Sequence, residues 1–213
     1  MVTTLSLPRR PRGRPARNGL DYADTRTLLI RRGLEMLTTQ GVSATALDDI
    51  LKSVNVPKGS FYHYFESKDA FVVATLDAYA EYFARKLDRH LRNQEQAPLI
   101  RLAAFVDDAC RGVERHDFRR GCLVGNLGQE VSVLNELLRQ RLEAILVDWE
   151  KRLAACLQDA AGTGELAADA DYPALAQAFW VGWEGAILRA RLSRSTAPMQ
   201  AFFKLFLAAL PRS

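Results

Sequence analysis

The sequence predicts an all-α protein, on three observations. Apolar residues recur at three- and four-residue steps in one segment after another, and Gly, Pro, Ser and Thr punctuate the segment ends. No stretch shows sustained two-residue alternation with β-branched enrichment, so a sheet is not expected. With 213 residues, 48% apolar and 25% charged, the chain is long enough to bury a proper core. Its 13 Gly and 8 Pro are scattered, which excludes collagen-like and wholly disordered classes.

Taken in order, residues 1–19 are rich in Pro, Arg and Gly, lack periodic apolar positions, and read as a disordered basic arm. A first helix is expected from Asp21 to Gln40, carrying Leu28, Leu29, Gly33, Leu34 and Leu37, with Gly41 as its left-handed stop. Thr45 is placed to cap a short second helix whose Asp48 and Asp49 sit at the positive end of its dipole. Asn55 tolerates the left-handed turn that ends it. Pro57 then opens a third short helix running through Tyr64. Ser67 caps a long fourth helix that reaches about Arg92, and further helices are expected near 98–115, 120–132, 134–160, 172–194 and 197–209. The resulting domains are the arm, a helix-turn-helix unit over 20–66, and a helical body over 67–213.

Charge is unevenly placed along this plan. Residues 1–86 hold 13 Lys+Arg against 9 Asp+Glu, whereas residues 87–213 hold 16 of each. All the excess lies at one end, as suits a polyanionic partner, although a tail that merely aids solubility has the same charge. Three cysteines without CxxC spacing argue against a disulfide framework or zinc ribbon and suit a reducing cytoplasm. No uncharged apolar run approaches the roughly 20 residues that a membrane span needs. The histidines show no metal-ligand spacing, and no cofactor is implied.

Two short helices joined by a tight turn, the second opening Pro-Lys-Gly-Ser, fit a helix-turn-helix that reads duplex DNA. A recognition helix brings its first turn close to the major groove. Gly59 and Ser60 permit that approach, Lys58 and Tyr62 reach phosphates, and His63 reaches a phosphate or a base edge. Phe61 and Phe65 are better used as core anchors. Simple packing of a helical hairpin is the competing reading for the aromatics. In the arm, Arg12, Gly13, Arg14 and Pro15 have the form of an AT-hook core, whose arginines enter a narrow A·T minor groove; a generic phosphate-binding arm is the alternative.

The stretch from Gly41 to Ile50, followed by Val56 to Phe65 and Lys68, resembles the DNA-binding domain of the tetracycline-repressor (TetR) family over about 50 residues. The resemblance implies a three-helix DNA-binding head on a ligand-binding and dimerisation body. It further implies a repressor that binds operator DNA as a homodimer and is released by a small molecule. Carried over by position, Thr45, Lys58, Ser60, Tyr62 and His63 fall where family members touch DNA, and Lys68 where the fourth helix contacts the backbone. Ala46, Leu51 and Asn55 depart from the usual Thr, Ala and Gly.

In the body, Phe118 to Glu130 places three glycines in one expected helix, beside Arg119 and Arg120 near its start. Exposed amides and two arginines suit an anionic group, while close helix crossing is the other reading of the glycines. This stretch and the later Ala178 to Ala190 are similar to the acrylate-utilisation repressor branch of the family. That similarity implies an effector such as acryloyl-CoA or a related acrylate metabolite, with Arg119, Arg120, Cys122, Asn126, Gln129, Trp180, Trp183 and Glu184 as ligand-binding residues. Cys122 beside two arginines is expected to have a lowered pKa and thiolate character, which would permit thiol-based sensing of electrophiles or oxidants; a buried small hydrophobe is the alternative. Two rivals remain: a small helical thiol enzyme using Cys122 with His116, and a ligandless architectural DNA binder. The last two helices, with small residues at Gly182, Gly185 and Ala186, are where the homodimer is expected.

Overall fold

The computed structural model describes residues 21–130 and 135–213. Arg12 and Arg14 therefore lie outside the described residues, as does the 131–134 junction. Among those described there are helices and no strands: α1 (Tyr22–Gln40), α2 (Leu47–Ser53), α3 (Lys58–Phe61), α4 (Lys68–Leu91), α5 (Pro98–Arg115), α6 (Leu123–Gly128), α7 (Glu136–Gly162), α8 (Tyr172–Ser193) and α9 (Ala197–Ala209). The expected starts of several are made by side-chain caps. Asp21 accepts from the Asp24 amide at 2.8 Å, Ser67 from Ala70 at 3.0 Å, Asn135 from Leu138 at 2.9 Å and Asp171 from Ala174 at 3.0 Å. Each such cap contributes about 1 kcal/mol.

Three elements differ from expectation, each because a polar group is committed elsewhere. Thr45 does not cap α2; its buried hydroxyl turns back to the Gly41 carbonyl, and Ala46 holds the cap position without a side-chain bond. The third helix ends at Phe61 rather than Tyr64. The His63 and Tyr64 amides make short turn bonds to Ser60 and Phe61, and the chain leaves the helix to reach the extended Ser67. The expected helix over 120–132 shrinks to α6. Asp117 and Phe118 adopt positive φ (50° and 57°), and the Gly121 amide is spent on the Thr38 carbonyl of α1 at 3.2 Å.

Two apolar cores form. Leu29, Ile50, Leu51, Val54, Val56, Phe61, Phe65 and Phe71 make the small one around α1–α3, and the second fills the bundle of α4–α9 around Phe105, Trp149, Phe179, Trp180 and Trp183. They interlock across α1 and α4. Phe71 of α4 seals the small core, while Leu37 of α1 belongs to the large one. The close passage of α1 over α4 needs Gly33, since a Cβ there would collide with the Phe71 ring and lie 3.2 Å from the Thr75 hydroxyl.

Gly182 has the same role between α8 and α9. A Cβ would drive into the Phe202 ring, which is itself packed against Phe179, Trp183 and Phe206. Gly182→Val is expected to destabilise the fold by about 2 kcal/mol through overpacking, lowering the thermal midpoint by several degrees. Gly112, whose Cβ would meet nothing within 4 Å, is the control. Gly112→Ala should be neutral or add up to about 1 kcal/mol, from helix propensity, in the same melting experiment.

Candidate functional site

On the head, the residues around α3 divide cleanly between core and surface. Phe61 and Phe65 are buried, with their rings 5.4 Å apart, and they fix the hairpin from beneath. Lys58, Gly59, Tyr62 and His63 are exposed on the outer side, Tyr62 at 58%, and Ser60 is half-buried. Nothing lies within 4 Å of a Cβ built on Gly59, so no packing within the chain requires glycine there. The turn before α3 is made as expected, by Asn55 at φ 54°. Lys58 sits 3.0 Å from Asp48, an exposed pair that a phosphate can displace.

Two expected DNA contacts are differently placed. The Thr45 side chain is 1% exposed and hydrogen-bonded inside the head, so it cannot reach a duplex. Lys68 spends its ammonium on the Thr45 carbonyl at 3.0 Å, pinning the start of α4 to the α1–α2 loop.

In the body a cavity of about 490 Å³ lies among α1, α4, α5, α8, α9 and the loop before α6. Tyr79, Phe83, Val113, Ile187 and Met199 supply its apolar wall. Lys86, Arg89, Arg115 and Arg120 line it with positive charge. Asp108 neutralises part of this, at 3.1 Å from Lys86 and 3.0 Å from His90. Arg89 and Arg115 have no ion pair among the described residues. Of the ligand residues expected from sequence, Arg120, Cys122 and Glu184 line this cavity. The others do not. Arg119 is exposed outside it, its carbonyl accepting from Arg191 at 3.3 Å. Trp180 and Trp183 are 2% and 1% exposed in the aromatic core. Asn126 is spent structurally, donating to the Thr38 carbonyl at 2.8 Å and accepting from Arg191 at 3.0 Å. Gln129 lines a separate surface groove with Glu130 and Arg191.

Sequence reasoning assigned no role to Tyr79, Lys86, Arg89, Arg115, Arg191 or Glu130. The first four come from α4 and α5 and share no local motif with α6. Glu130 makes one of the connections between body and head. Its carboxylate accepts from the Val42 amide at 2.8 Å, the Ser43 amide at 2.7 Å and the Ser43 hydroxyl. Partial burial raises its pKa, but the Ser43 and Val42 donors and Lys68 outweigh that and hold it below its ordinary value. A depressed carboxylate stabilises above its unfolded pKa and loses that contribution as pH falls through the folded one, so this contact weakens only in acid.

Cys122 is not the activated thiol expected from its neighbours in sequence. It is buried, with the Tyr79 hydroxyl donating to its sulfur at 3.6 Å. Burial first, and then the charge of Glu184, push its pKa well above the ordinary thiol value. Arg119 and Arg120 are adjacent along the chain but do not counter the desolvation. Cys122 is paired with Tyr79 and Glu184 rather than with His116, so the base-and-nucleophile arrangement of the thiol-enzyme reading is not formed.

A short exposed helix held on a three-helix head, carried by a helical bundle with a partly open cavity, defines a helix-turn-helix regulator. Residues 29–75 match the family described as "Bacterial regulatory proteins, tetR family", and residues 98–206 match the "Tetracyclin repressor-like, C-terminal domain". The chain belongs to the TetR family of transcriptional repressors. It is 49% identical to the transcriptional regulator AcuR of Cereibacter sphaeroides over 205 residues, covering 96% of this chain and 93% of that one. It is 31% identical to the repressor NemR of Escherichia coli over 83% of this chain and 89% of that one. A crystal structure of a TetR regulatory protein from Rhodobacter sphaeroides superposes with a TM-score of 0.84 at 49% identity, covering 86% and 97% of the two chains. The reduced form of Escherichia coli NemR superposes at 0.82 with 29% identity, covering 89% and 98%.

All three cysteines, Cys110, Cys122 and Cys156, are free and buried. The native protein is therefore expected to react with Ellman's reagent at neutral pH at least about tenfold more slowly than the guanidinium-unfolded chain, which releases three equivalents. Rapid stoichiometric labelling of Cys122 in the native state would restore the activated-thiol reading.

Proposed function

We propose that this chain is an effector-released repressor: a homodimer that binds operator DNA through Lys58, Gly59, Ser60, Tyr62 and His63, and lets go when a small acyl metabolite occupies the body cavity. The observation that carries this reading is the position of the cavity. Its wall includes α4, which reaches the head, and the loop that begins α6, which ends on the head. The effector favoured is acryloyl-CoA or a related acrylate metabolite, supported by the likeness to AcuR and by the basic lining, which suits phosphates or a carboxylate. Binding is reversible on this reading, because the one thiol in the cavity is held protonated. The work is done in the cytoplasm, where the DNA is; no described helix is long and apolar enough to cross a membrane.

Two connections transmit occupancy. The 24 residues of α4 form one helix of about 36 Å that places Tyr79, Phe83, Lys86 and Arg89 at the cavity and Phe71 in the head core. The shorter route is α6. Cys122 at its start lines the cavity, Asn126 in its middle holds the Thr38 carbonyl, and Glu130 just past its end holds the α1–α2 loop. A ligand that prefers a shifted α4 or α6 changes the separation of the two recognition helices, and operator affinity falls only by that preference.

The dimer is assigned to α8 and α9. Val181, Leu188 and Leu192 are exposed at 74%, 38% and 71% at seven- and four-residue steps along α8, and Leu205 of α9 is exposed at 70%. Such a stripe on a folded surface marks an interface, and a second copy supplies the same stripe in return.

The test of the whole reading is operator binding, on the duplex flanking the protein's own gene, with and without saturating acryloyl-CoA; unchanged affinity would overturn effector release. Lys58→Ala is expected to lower operator affinity about tenfold and to reduce the salt slope by about one per protomer, as loss of a phosphate contact does. Leu192→Glu should sediment as a monomer and lose most operator affinity. A variant that stayed dimeric would move the interface elsewhere.

A further inference from the structure

Residues 1–20 carry five arginines, Arg9, Arg10, Arg12, Arg14 and Arg17, and no acid. The structure fixes where this segment joins the fold. Asp21 caps α1, and Tyr22, the first residue of that helix, lies against the turn that follows α3. The Tyr22 hydroxyl donates to the His63 carbonyl at 3.2 Å, and its ring stacks on Tyr64 with centroids 4.9 Å apart. One turn further along α1, the Arg26 guanidinium lies over the Phe65 ring at 5.0 Å. Tyr22 remains 56% exposed, so its contacts orient the start of α1 rather than fill a core. The chain therefore enters the fold beside Tyr62 and His63, which stand exposed at the end of the recognition hairpin. The cap and first turn of α1 carry Asp21 and Asp24, which repel phosphate, and Arg26 is engaged with Phe65. The cations that can hold DNA at this corner lie in the segment before them.

We propose that residues 1–20 supply a second DNA-reading element: Arg12 and Arg14 enter the minor groove beside each half-site, where A·T pairs narrow it, while α3 lies in the adjoining major groove. This rests on the operator-binding reading above and adds to it an A·T-rich flank next to each half-site. Reach permits it. The stretch from Arg14 to Asp21 spans at most about 25 Å, and the adjoining minor groove lies about half a helical turn, roughly 17 Å, along the duplex. The junction at His63 starts that span on the face that meets DNA. Had α1 begun on the far side of the head, the same length would be used up in going round it. Residue type then favours the groove over the phosphates. A narrow A·T groove concentrates negative potential and takes in arginine, whose guanidinium is weakly hydrated. Arg12-Gly13-Arg14 puts the smallest residue between two such side chains, so the backbone can approach the groove floor, and Pro15 follows. A phosphate ridge asks only for charge and has no use for the glycine.

The experiment measures binding of the full-length protein to the duplex footprinted on the DNA that flanks its own gene. Three versions differ only in the pairs beside each half-site: A·T, G·C or inosine·C. Inosine lacks the guanine 2-amino group, so an inosine·C pair shows the minor groove of A·T with the major-groove acceptors of G·C. The wild type is expected to bind the A·T and inosine·C flanks alike and the G·C flank about tenfold more weakly. Arg12→Lys with Arg14→Lys keeps the charge but loses the planar guanidinium, and should bind all three within about twofold, at the level the wild type shows for G·C. Equal wild-type affinity for the three flanks would overturn minor-groove reading and reduce the segment to a phosphate contact. Ranking inosine·C with G·C would overturn it too, by placing the preference in the major groove. A lysine variant that kept the wild-type preference would remove the assignment to Arg12 and Arg14. The flank comparison uses the wild type alone, so it stands even if the variant folds poorly. All these outcomes compare duplexes that α3 still binds and leave the operator reading intact, whereas no binding to any version at low salt would overturn that reading.

Discussion

Phe71 is the point on which the two halves of the molecule depend. Its ring is 1% exposed and stands against Phe61 and Phe65, at centroid distances of 5.8 and 5.0 Å, so the head cannot close without it. Yet it belongs to α4, two turns before Tyr79 and three before Phe83, which wall the cavity. Burial of one such ring is worth about 1.5–3 kcal/mol, comparable to the energy by which an effector shifts a regulator. The head therefore has no hinge that leaves its core untouched. Any displacement of α4 at the cavity is delivered to the base of the recognition helix, and Gly33 keeps α1 close enough to move with it.

The connection through α6 works differently. Where α4 joins body to head by packing, α6 joins them by hydrogen bonds: Gly121 and Asn126 both hold the Thr38 carbonyl, and Glu130 holds the two amides after Gly41. Arg191 ties this array to α8, the helix that carries both Glu184 and the exposed apolar stripe. Cavity, head and proposed dimer face thus meet on one short segment. Packing resists compression but tolerates small slides, whereas hydrogen bonds break over fractions of an ångström. The two routes give a rigid lever and a breakable catch.

The parts of this arrangement that were legible in the sequence are local. Ser67 announces its helix by capping, Asn55 announces the left-handed turn, and Phe61 with Phe65 announce the underside of the recognition helix. What was not legible depends on partners distant along the chain. Thr45 looks like a cap until its hydroxyl finds Gly41, and Asn126 looks like a ligand contact until it meets Thr38 and Arg191. The tryptophans of α8 suit a core or a cavity wall equally in the sequence, and they fill the core. Tyr79, Lys86, Arg89 and Arg115 carry no motif at all, because a cavity assembled from several helices has no spacing rule in any one of them.

Cys122 shows why adjacency along the chain misleads about charge. Arg119 and Arg120 are three and two residues away, but Asp117 and Phe118 turn the loop so that Arg119 faces solvent and Arg120 approaches Glu35 at 3.9 Å. The thiol instead lies beside Glu184, and burial acts on both groups in the same direction, disfavouring both charged forms. Two acids disfavoured in their charged forms stand in the same lining that Lys86, Arg89, Arg115 and Arg120 make basic, so the charge of this cavity comes from residues scattered over α4, α5 and the loop before α6 rather than from the motif around Cys122.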